Sequence, residues 1–285
     1  MVDTMITGKT SLVGVIGDPV KHSLSPLMHN AAFLELGLDY VYIPFRVAKP
    51  DLKTAIKGAG SLNIKGLNVT IPHKMKVIEF IDELDQLSKL IGAVNTLKFE
   101  KNSIKGYNTD GTGLIRALEE VTSIKDKKII ITGAGGAARA AAYQTILEGA
   151  GSLIIANRTV SNAFSLKQDL INDLESDVKV IDLGSKLKNE LEDADILVDT
   201  TPIGMYPNIN EKPLVKAEDM HTELIVFDMV YNPLKTSLLK EAEKAGAKPV
   251  SGIKMLIYQG IESFQIWTGI RPTYKSFEKG LKSVL

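Results

Sequence analysis

The stretch KIIITGAGGAARAAAYQTIL, residues 128–147, decides how the rest of the chain is read. Lys128 to Thr132 is a short β-branched run of the kind that forms a strand covered on both faces, and the alanine-rich segment after it favours helix. Between them Gly133, Gly135 and Ala138 stand at GxGxxA spacing. The order strand, glycine turn, helix predicts a dinucleotide-binding unit. Gly133 permits the tight turn, Gly135 lets the backbone approach a pyrophosphate, and a small residue at 138 lets helix and strand pack closely. The amides of Ala134, Gly136 and Ala137 belong to the same turn, where a helix N-terminus faces phosphates. A glycine-rich turn alone is common, and the flanking elements give this one its meaning.

Downstream, a strand over Leu153 to Ala156 runs into Asn157, Arg158 and Thr159, and 157 − 133 = 24 residues is the offset at which such a unit meets the adenosine ribose. The usual acidic residue is missing there. A carboxylate would bond a 2′-hydroxyl and repel a 2′-phosphate, whereas Arg158 can pair with that phosphate through two parallel donors, so NADP is favoured over NAD. The plainer reading of Arg158 and Thr159 is the start of a solvated helix. Further strands are predicted at Val178 to Ile181, Ile196 to Asp199 and Leu224 to Asp228.

Upstream, a polar break at Ile124 to Lys127 separates a second nucleus of alternation. It holds a strand over Leu12 to Ile16 and a helix from about Pro26 to Leu36, with Leu27, Ala31 and Leu34 as its buried face. A strand at Val41 to Phe45, a helix after Pro50, a strand over Gly66 to Val69 and a helix beginning near Pro72 follow. Both halves are α/β. The tail from Ser251 reads as helix, and sequence alone leaves open which half it packs on.

Composition narrows the functions. The chain has 285 residues, 44% of them hydrophobic, enough for two ordinary cores. Its 34 Lys and Arg balance 34 Asp and Glu, so no overall basic field attracts nucleic acid or acidic membranes, and partners are expected among small molecules. No cysteine is present, which excludes disulfides and thiolate sites and suits a reducing cytoplasm. The N-terminal MVDTMITGKTSLVGVIG lacks a basic segment followed by a long apolar run, and no stretch reaches the roughly 18 apolar residues of a membrane span. His22, His29, His73 and His221 match no two-ligand helix spacing, so no metal is expected. Trp267 and the cluster Met255, Leu256 and Tyr258 read as core.

Four stretches are rich in polar side chains beside glycine and proline: GDPVKHSLSP (17–26), NVTIPHK (68–74), GAVNT (92–96) and YNTDGTG (107–113). Singly, each has an ordinary explanation. Ser25 before Pro26 fits a helix N-cap with proline at N1, Asp110 fits another cap, Asn95 fits a turn, and Lys74 fits a solvated lysine in a first helical turn. Together with TTPIGM (200–205), DMVYNPLKT (228–236) and GIKMLIYQG (252–260), their order and spacing closely resemble the shikimate dehydrogenase family along nearly the whole chain.

That resemblance implies an N-terminal α/β substrate domain with a mainly parallel sheet, residues 1–110, completed by C-terminal helices from about 240 to 285. It implies a Rossmann-like NADP-binding domain over 111–239, with a cleft between the two. It further implies reversible NADPH-dependent reduction of 3-dehydroshikimate to shikimate, a step towards aromatic amino acids. Ser23 and Ser25 would bind the substrate carboxylate, and Thr70, Asn95 and Gln259 would surround the ring hydroxyls with Tyr231 nearby. Lys74 and Asp110 would exchange a proton with the oxygen at C3. Thr201, Met229 and Gly252 would lie on the cofactor side. Physical chemistry suits these residue types, because a protonated lysine beside an alkoxide-like oxygen neutralises its charge and can deliver the proton. If Lys74 opens a helix, the macrodipole would disfavour its extra positive charge. Ser251 departs from the Asp or Asn that relatives commonly carry there, which puts one local hydrogen bond in doubt. A quinate or dual quinate and shikimate dehydrogenase is the nearest alternative, and a non-catalytic NADP-binding sensor is another. Either a monomer or a homodimer is compatible with the sequence.

Overall fold

The computed structural model describes residues 6–101 and 103–282. The first five residues of the N-terminal segment and the last three of the tail lie outside the described residues. The chain divides into two units, one up to Thr109 and again from Ile257, the other from Asp110 to Leu256.

In the first unit β1 (Ser11–Gly17), α1 (Ser25–Glu35), β2 (Tyr40–Arg46), α2 (Leu52–Ser61) and β3 (Gly66–Val69) are followed by β4 (Glu83–Leu84), α3 (Gln86–Ile91), β5 (Thr96–Phe99) and β6 (Ile104–Tyr107). The sheet order is β2-β1-β3-β5-β6-β4. β1 pairs in parallel with β2 and β3, and β4 with β6, while β5 runs antiparallel to both β3 and β6. The carboxyl ends of β1, β3 and β6 and the start of β5 therefore share one edge. Local chemistry fixes the helix ends: the Asp85 carboxylate accepts the Ser88 N–H at 2.9 Å to open α3, and Gly92, at φ 68°, closes it in the left-handed region that glycine adopts freely.

The second unit holds α4 (Asp110–Glu119), β7 (Lys128–Thr132), α5 (Gly136–Leu147), β8 (Ser152–Ala156), α6 (Val160–Leu174), β9 (Val178–Ile181), α7 (Ser185–Leu191), β10 (Ile196–Asp199), β11 (Ile225–Asp228), α8 (Ser237–Ala245) and β12 (Lys248–Ser251). Its sheet, β12-β11-β10-β7-β8-β9, is parallel throughout. Ile129, Ile130 and Ile131 are fully buried, as expected of a strand covered on both faces; burying each such side chain is worth about 1.5–3 kcal/mol. α9 (Ile253–Thr268) begins in the second unit and ends in the first, and α10 (Tyr274–Leu281) packs on α1. Trp267 of α9 sits against Gly66, where an added Cβ would stand 2.0 Å from its Nε1, and that nitrogen donates to the Leu97 carbonyl at 2.9 Å.

Several expectations are corrected. α1 buries Ser25, Met28, His29, Ala32 and Phe33, not Leu27, Ala31 and Leu34. Gly280 of α10 approaches the Leu27 carbonyl so closely that a Cβ there would lie 2.3 Å away, so backbone meets backbone and the Leu27 side chain turns outward. No α-helix follows Pro72. Turns lead instead into a 3-10 helix over Lys76–Phe80, because the Lys74 carbonyl is taken by the Val94 N–H at 2.8 Å. The macrodipole argument for Lys74 therefore has no helix to rest on. The chain returns to the first unit near residue 257 rather than 240, since β12 joins the second sheet beside β11. Ser25 is not the cap of α1. Its N–H donates to Ser23 Oγ at 3.3 Å, and it occupies the first helical turn with Pro26.

Candidate active site

In the first unit the predicted residues gather at the shared strand edge. Thr70 follows β3, and its methyl lies where a Cβ on Gly17, at the end of β1, would stand 2.4 Å away. Ser23 and Ser25 come next along the chain after β1, at the start of α1. Asn95 immediately precedes β5 and is 2% exposed. Its Nδ2 donates to Thr109 Oγ1 at 2.9 Å and to Gln259 Oε1 at 3.4 Å, while Oδ1 accepts the Thr109 N–H at 2.8 Å. Lys74, half-buried, is held at the same edge through its carbonyl bond to Val94, next to Asn95.

Behind Asn95 lies a polar network that sequence reading did not single out. Asn68 Nδ2 donates to Thr96 Oγ1 at 3.0 Å and to Ser263 Oγ at 2.9 Å, and Asn68 Oδ1 accepts the Tyr42 hydroxyl at 2.8 Å. Thr96 Oγ1 donates to Asn95 Oδ1 at 3.0 Å, and the Ser263 hydroxyl donates to the Gln259 carbonyl at 3.0 Å. Each group in this dry cluster is satisfied, which fixes the orientation of the Asn95 amide. One signal was available: Ser263 lies four residues after Gln259 on α9, on the same helix face.

In the second unit, Gly133, Asn157, Thr201, Met229 and Gly252 all lie just beyond strand ends. Because that sheet is parallel, these are carboxyl ends on one edge, and the strand order reverses between β10 and β7, the position at which open α/β sheets bind ligands. Gly133 has φ +108°, and a Cβ there would stand 2.3 Å from Thr200 Oγ1. Gly135, by contrast, faces open space, so nothing of the chain fills the position where a pyrophosphate would approach. Gly135 caps α5 without a side-chain acceptor, leaving the first amides, from Gly136 and Ala137 onward, to a ligand; Ala134 lies in the turn before them. Ala138 is fully buried. Asn157 Nδ2 donates to the Thr159 carbonyl at 2.9 Å and shapes the loop that exposes Arg158. These features fit a dinucleotide with a charged 2′-substituent.

Gly252 packs on β11, where a Cβ would stand 2.5 Å from the Met229 carbonyl. Thr201 N–H donates to Asp199, and the half-buried Tyr231 follows β11. Asp110, 4% exposed, is the first residue of α4 and follows directly on Thr109, the residue tied to Asn95. The histidines have separate settings: His29 is buried among aromatic rings, His73 Nε2 bonds the Val47 carbonyl at 2.7 Å and His221 Nε2 the Ala194 carbonyl at 2.9 Å. Among the described residues no group of three or more His, Asp or Glu is arranged to hold a metal ion.

An α/β substrate domain joined to a Rossmann-like unit with a glycine turn after its first strand and an exposed arginine after its second defines a dinucleotide-dependent dehydrogenase. Three family models match the chain: the shikimate dehydrogenase substrate binding domain over residues 15–97, shikimate / quinate 5-dehydrogenase over 116–233, and the shikimate 5'-dehydrogenase C-terminal domain over 252–279. The shikimate dehydrogenase (NADP(+)) of Methanobrevibacter smithii is 57% identical over 281 residues, covering 99% of each chain. A crystal structure of a shikimate dehydrogenase in complex with NADP+ matches with TM-score 0.92 and 48% identity, covering 98% of this chain and 97% of that one. The Thermus thermophilus enzyme in complex with NADP(H) and shikimate matches with TM-score 0.86 and 31% identity, covering 97% and 100%. The chain belongs to the shikimate dehydrogenase family.

Proposed function

We propose that this chain catalyses the reversible NADPH-dependent reduction of 3-dehydroshikimate to shikimate in aromatic amino acid biosynthesis. The observation that supports the reading is the polar edge of the first sheet, where Asn95 and Gln259 share a buried hydrogen-bonded network and Thr70 and Lys74 follow the same strand end, in a chain whose other unit carries a glycine turn and the exposed Arg158. Bound NADPH supplies the hydride.

Ser23 and Ser25 donate hydroxyls to the substrate carboxylate, and Thr70, Asn95 and Gln259, with Tyr231 nearby, orient the ring hydroxyls. Lys74 gives a proton to the C3 oxygen in reduction and takes it back in oxidation, neutralising charge as it develops on that oxygen. Asp110 exchanges the proton with Lys74 and holds the ammonium in place. Arg158 pairs with the 2′-phosphate, Thr159 and Asn157 line the adenosine side, and Thr201, Met229 and Gly252 line the nicotinamide side. The domain roles go with the two units: substrate to the unit that ends at Thr109 and resumes at Ile257, NADP to the unit from Asp110 to Leu256. We place the enzyme in the cytoplasm on its cysteine-free composition, acting on small molecules as a monomer or homodimer. Among the described residues no helix is long and apolar enough to cross a membrane.

The test is turnover of the purified chain with shikimate or quinate, each with NADP or NAD, followed by absorbance of the reduced nicotinamide. Shikimate with NADP should give the highest kcat/KM. Preference for quinate would reassign the substrate, and no turnover with any pair would leave a binding protein.

A further inference from the structure

At the carboxyl edge of the second sheet two aspartates lie side by side. Asp199 closes β10, Asp228 closes β11, and the two are register partners in adjacent parallel strands. They are 2% and 0% exposed. Each carboxylate grips the loop that its own strand feeds: Asp199 Oδ1 accepts the Thr201 N–H at 2.8 Å, and Asp228 Oδ1 accepts the Val230 N–H at 2.9 Å. Hydroxyls donate from either side, Thr132 to Asp199 Oδ1 at 2.7 Å and Thr236 to Asp228 Oδ2 at 2.5 Å. The Met229 N–H donates to the Asp199 carbonyl at 2.9 Å, so the two loops are also tied to each other.

No cation answers these charges among the described residues. β7 presents Thr132, and β12 presents Ser251, in register with Asp228, whose hydroxyl bonds the Leu234 carbonyl at 3.3 Å. Of the titratable groups on the loops, Lys235 pairs with Glu243 at 2.5 Å, Asp219 with Lys188 at 2.7 Å, Glu211 accepts the Gly204 N–H at 3.3 Å and His221 Nε2 bonds the Ala194 carbonyl at 2.9 Å; neither these nor Tyr206, Lys212, Lys216, Glu218, Glu223 and Tyr231 act on either aspartate. Two carboxylates this close and this dry disfavour a double charge, because burial penalises each anion and each anion's field penalises the other. Burial pushes Asp199 up, and burial followed by the Asp199 charge pushes Asp228 up to about 7, against the pull of the hydroxyl and amide donors. Near neutral pH one proton belongs to the pair as a whole.

We propose that Asp199 and Asp228 are a positioning pair for cofactor affinity: sharing one proton they hold the loops after β10 and β11 in the conformation that accepts NADP, and losing it they release those loops. Neither aspartate touches the reacting atoms. The inference rests on the reading of Thr201 and Met229 as cofactor residues.

The experiment measures the Kd for NADP and the KM for shikimate from about pH 6 to about pH 9.5 in the native enzyme, Asp199→Asn and Thr132→Val. In the native enzyme the Kd for NADP should rise above a break by up to about tenfold per pH unit, the slope of one proton. The KM for shikimate should change by less than about threefold over the same range. Asp199→Asn keeps an oxygen for the Thr201 N–H but removes one charge, so the rise should vanish. Thr132→Val removes a donor to the anion, so the break should move to higher pH. Should Asp199→Asn fold poorly, the native profile and Thr132→Val decide the matter. A flat native profile, or a break that neither variant moves, overturns the pair. A chain that binds no NADP at any pH overturns the cofactor reading and this inference with it.

Discussion

Thr109 grips both ends of the Asn95 side-chain amide, its hydroxyl oxygen accepting from Nδ2 at 2.9 Å and its N–H donating to Oδ1 at 2.8 Å. Thr109 is also the residue before Asp110, so one contact orients a substrate-side amide and anchors the chain entering α4. Thr109→Val keeps the shape and the N–H but takes the hydroxyl acceptor from Nδ2, which retains its 3.4 Å bond to Gln259 Oε1; losing one buried hydrogen bond is worth about 1–3 kcal/mol. The KM for shikimate should rise by about tenfold while kcat changes by less than about threefold, and Thr109→Ser should restore most of the affinity. Unchanged steady-state constants in the valine variant would remove Thr109 from substrate positioning.

The glycine turn makes a sharper demand. At Gly133, φ +108° disfavours any side chain, and Thr200 Oγ1, held by the Thr132 carbonyl at 2.6 Å, fills the space a Cβ would need. Gly133→Ala should lower stability by about 2 kcal/mol, read as a fall in the urea midpoint, and weaken NADP binding. Adding Thr200→Ala removes the clash but not the strained φ, so recovery should be partial. Full recovery would assign the whole cost to the clash.

Arg158 is exposed and makes no ion pair among the described residues, so its guanidinium is available for a 2′-phosphate. A bidentate charge-assisted contact is worth about 1.5–3 kcal/mol, and Arg158→Ala should raise the KM for NADP by about 10- to 100-fold. The KM for NAD should barely change. Equal losses for both cofactors would place Arg158 in general folding of the loop rather than in phosphate recognition.

What the sequence made legible follows the physics of each element. The second unit's β7, β8, β10 and β11 were readable because strands covered on both faces become nearly unbroken apolar runs, β9 was readable from its β-branched residues although Lys179 at the sheet edge is exposed, and the glycine turn was readable because its residues are conformationally demanding. β12, KPVS, escaped notice: it is short, half-exposed and contains a proline, and only its place beside β11 makes it a strand. β4, β5 and β6 were missed for the same reason, each being a fragment of two to four residues defined by its partners. On the substrate side the polar motifs pointed to Thr70, Lys74 and Asn95, but not to Asn68 or Ser263. Their partnership spans 195 residues of chain and leaves no local pattern.

His29 is the second feature that sequence could not reveal. It lies fully buried, stacked on Tyr42 at 4.4 Å and edge-on to Phe277 at 4.9 Å, with no hydrogen-bond partner on either ring nitrogen. Burial pulls its pKa down to about 3 from 6.5. As pH falls through this window the unfolded chain takes up the proton first, so the contribution of His29 is complete above the unfolded value and is lost towards the folded one, at about 1.4 kcal/mol per pH unit. Comparing His29→Phe with the native chain by urea unfolding isolates it. The native chain should lose about 2 kcal/mol more than the variant between about pH 7 and about pH 5. Parallel losses would mean that His29 is already protonated in the fold.

The central claim is that Lys74 moves the proton at the substrate oxygen. Its most direct test is kcat for shikimate oxidation by Lys74→Ala with saturating NADP, alongside shikimate binding to the same variant. A fall in kcat of about 10²- to 10⁴-fold, with the Kd for shikimate changed by less than about fivefold, is the predicted result. A variant that keeps most of its turnover would contradict it.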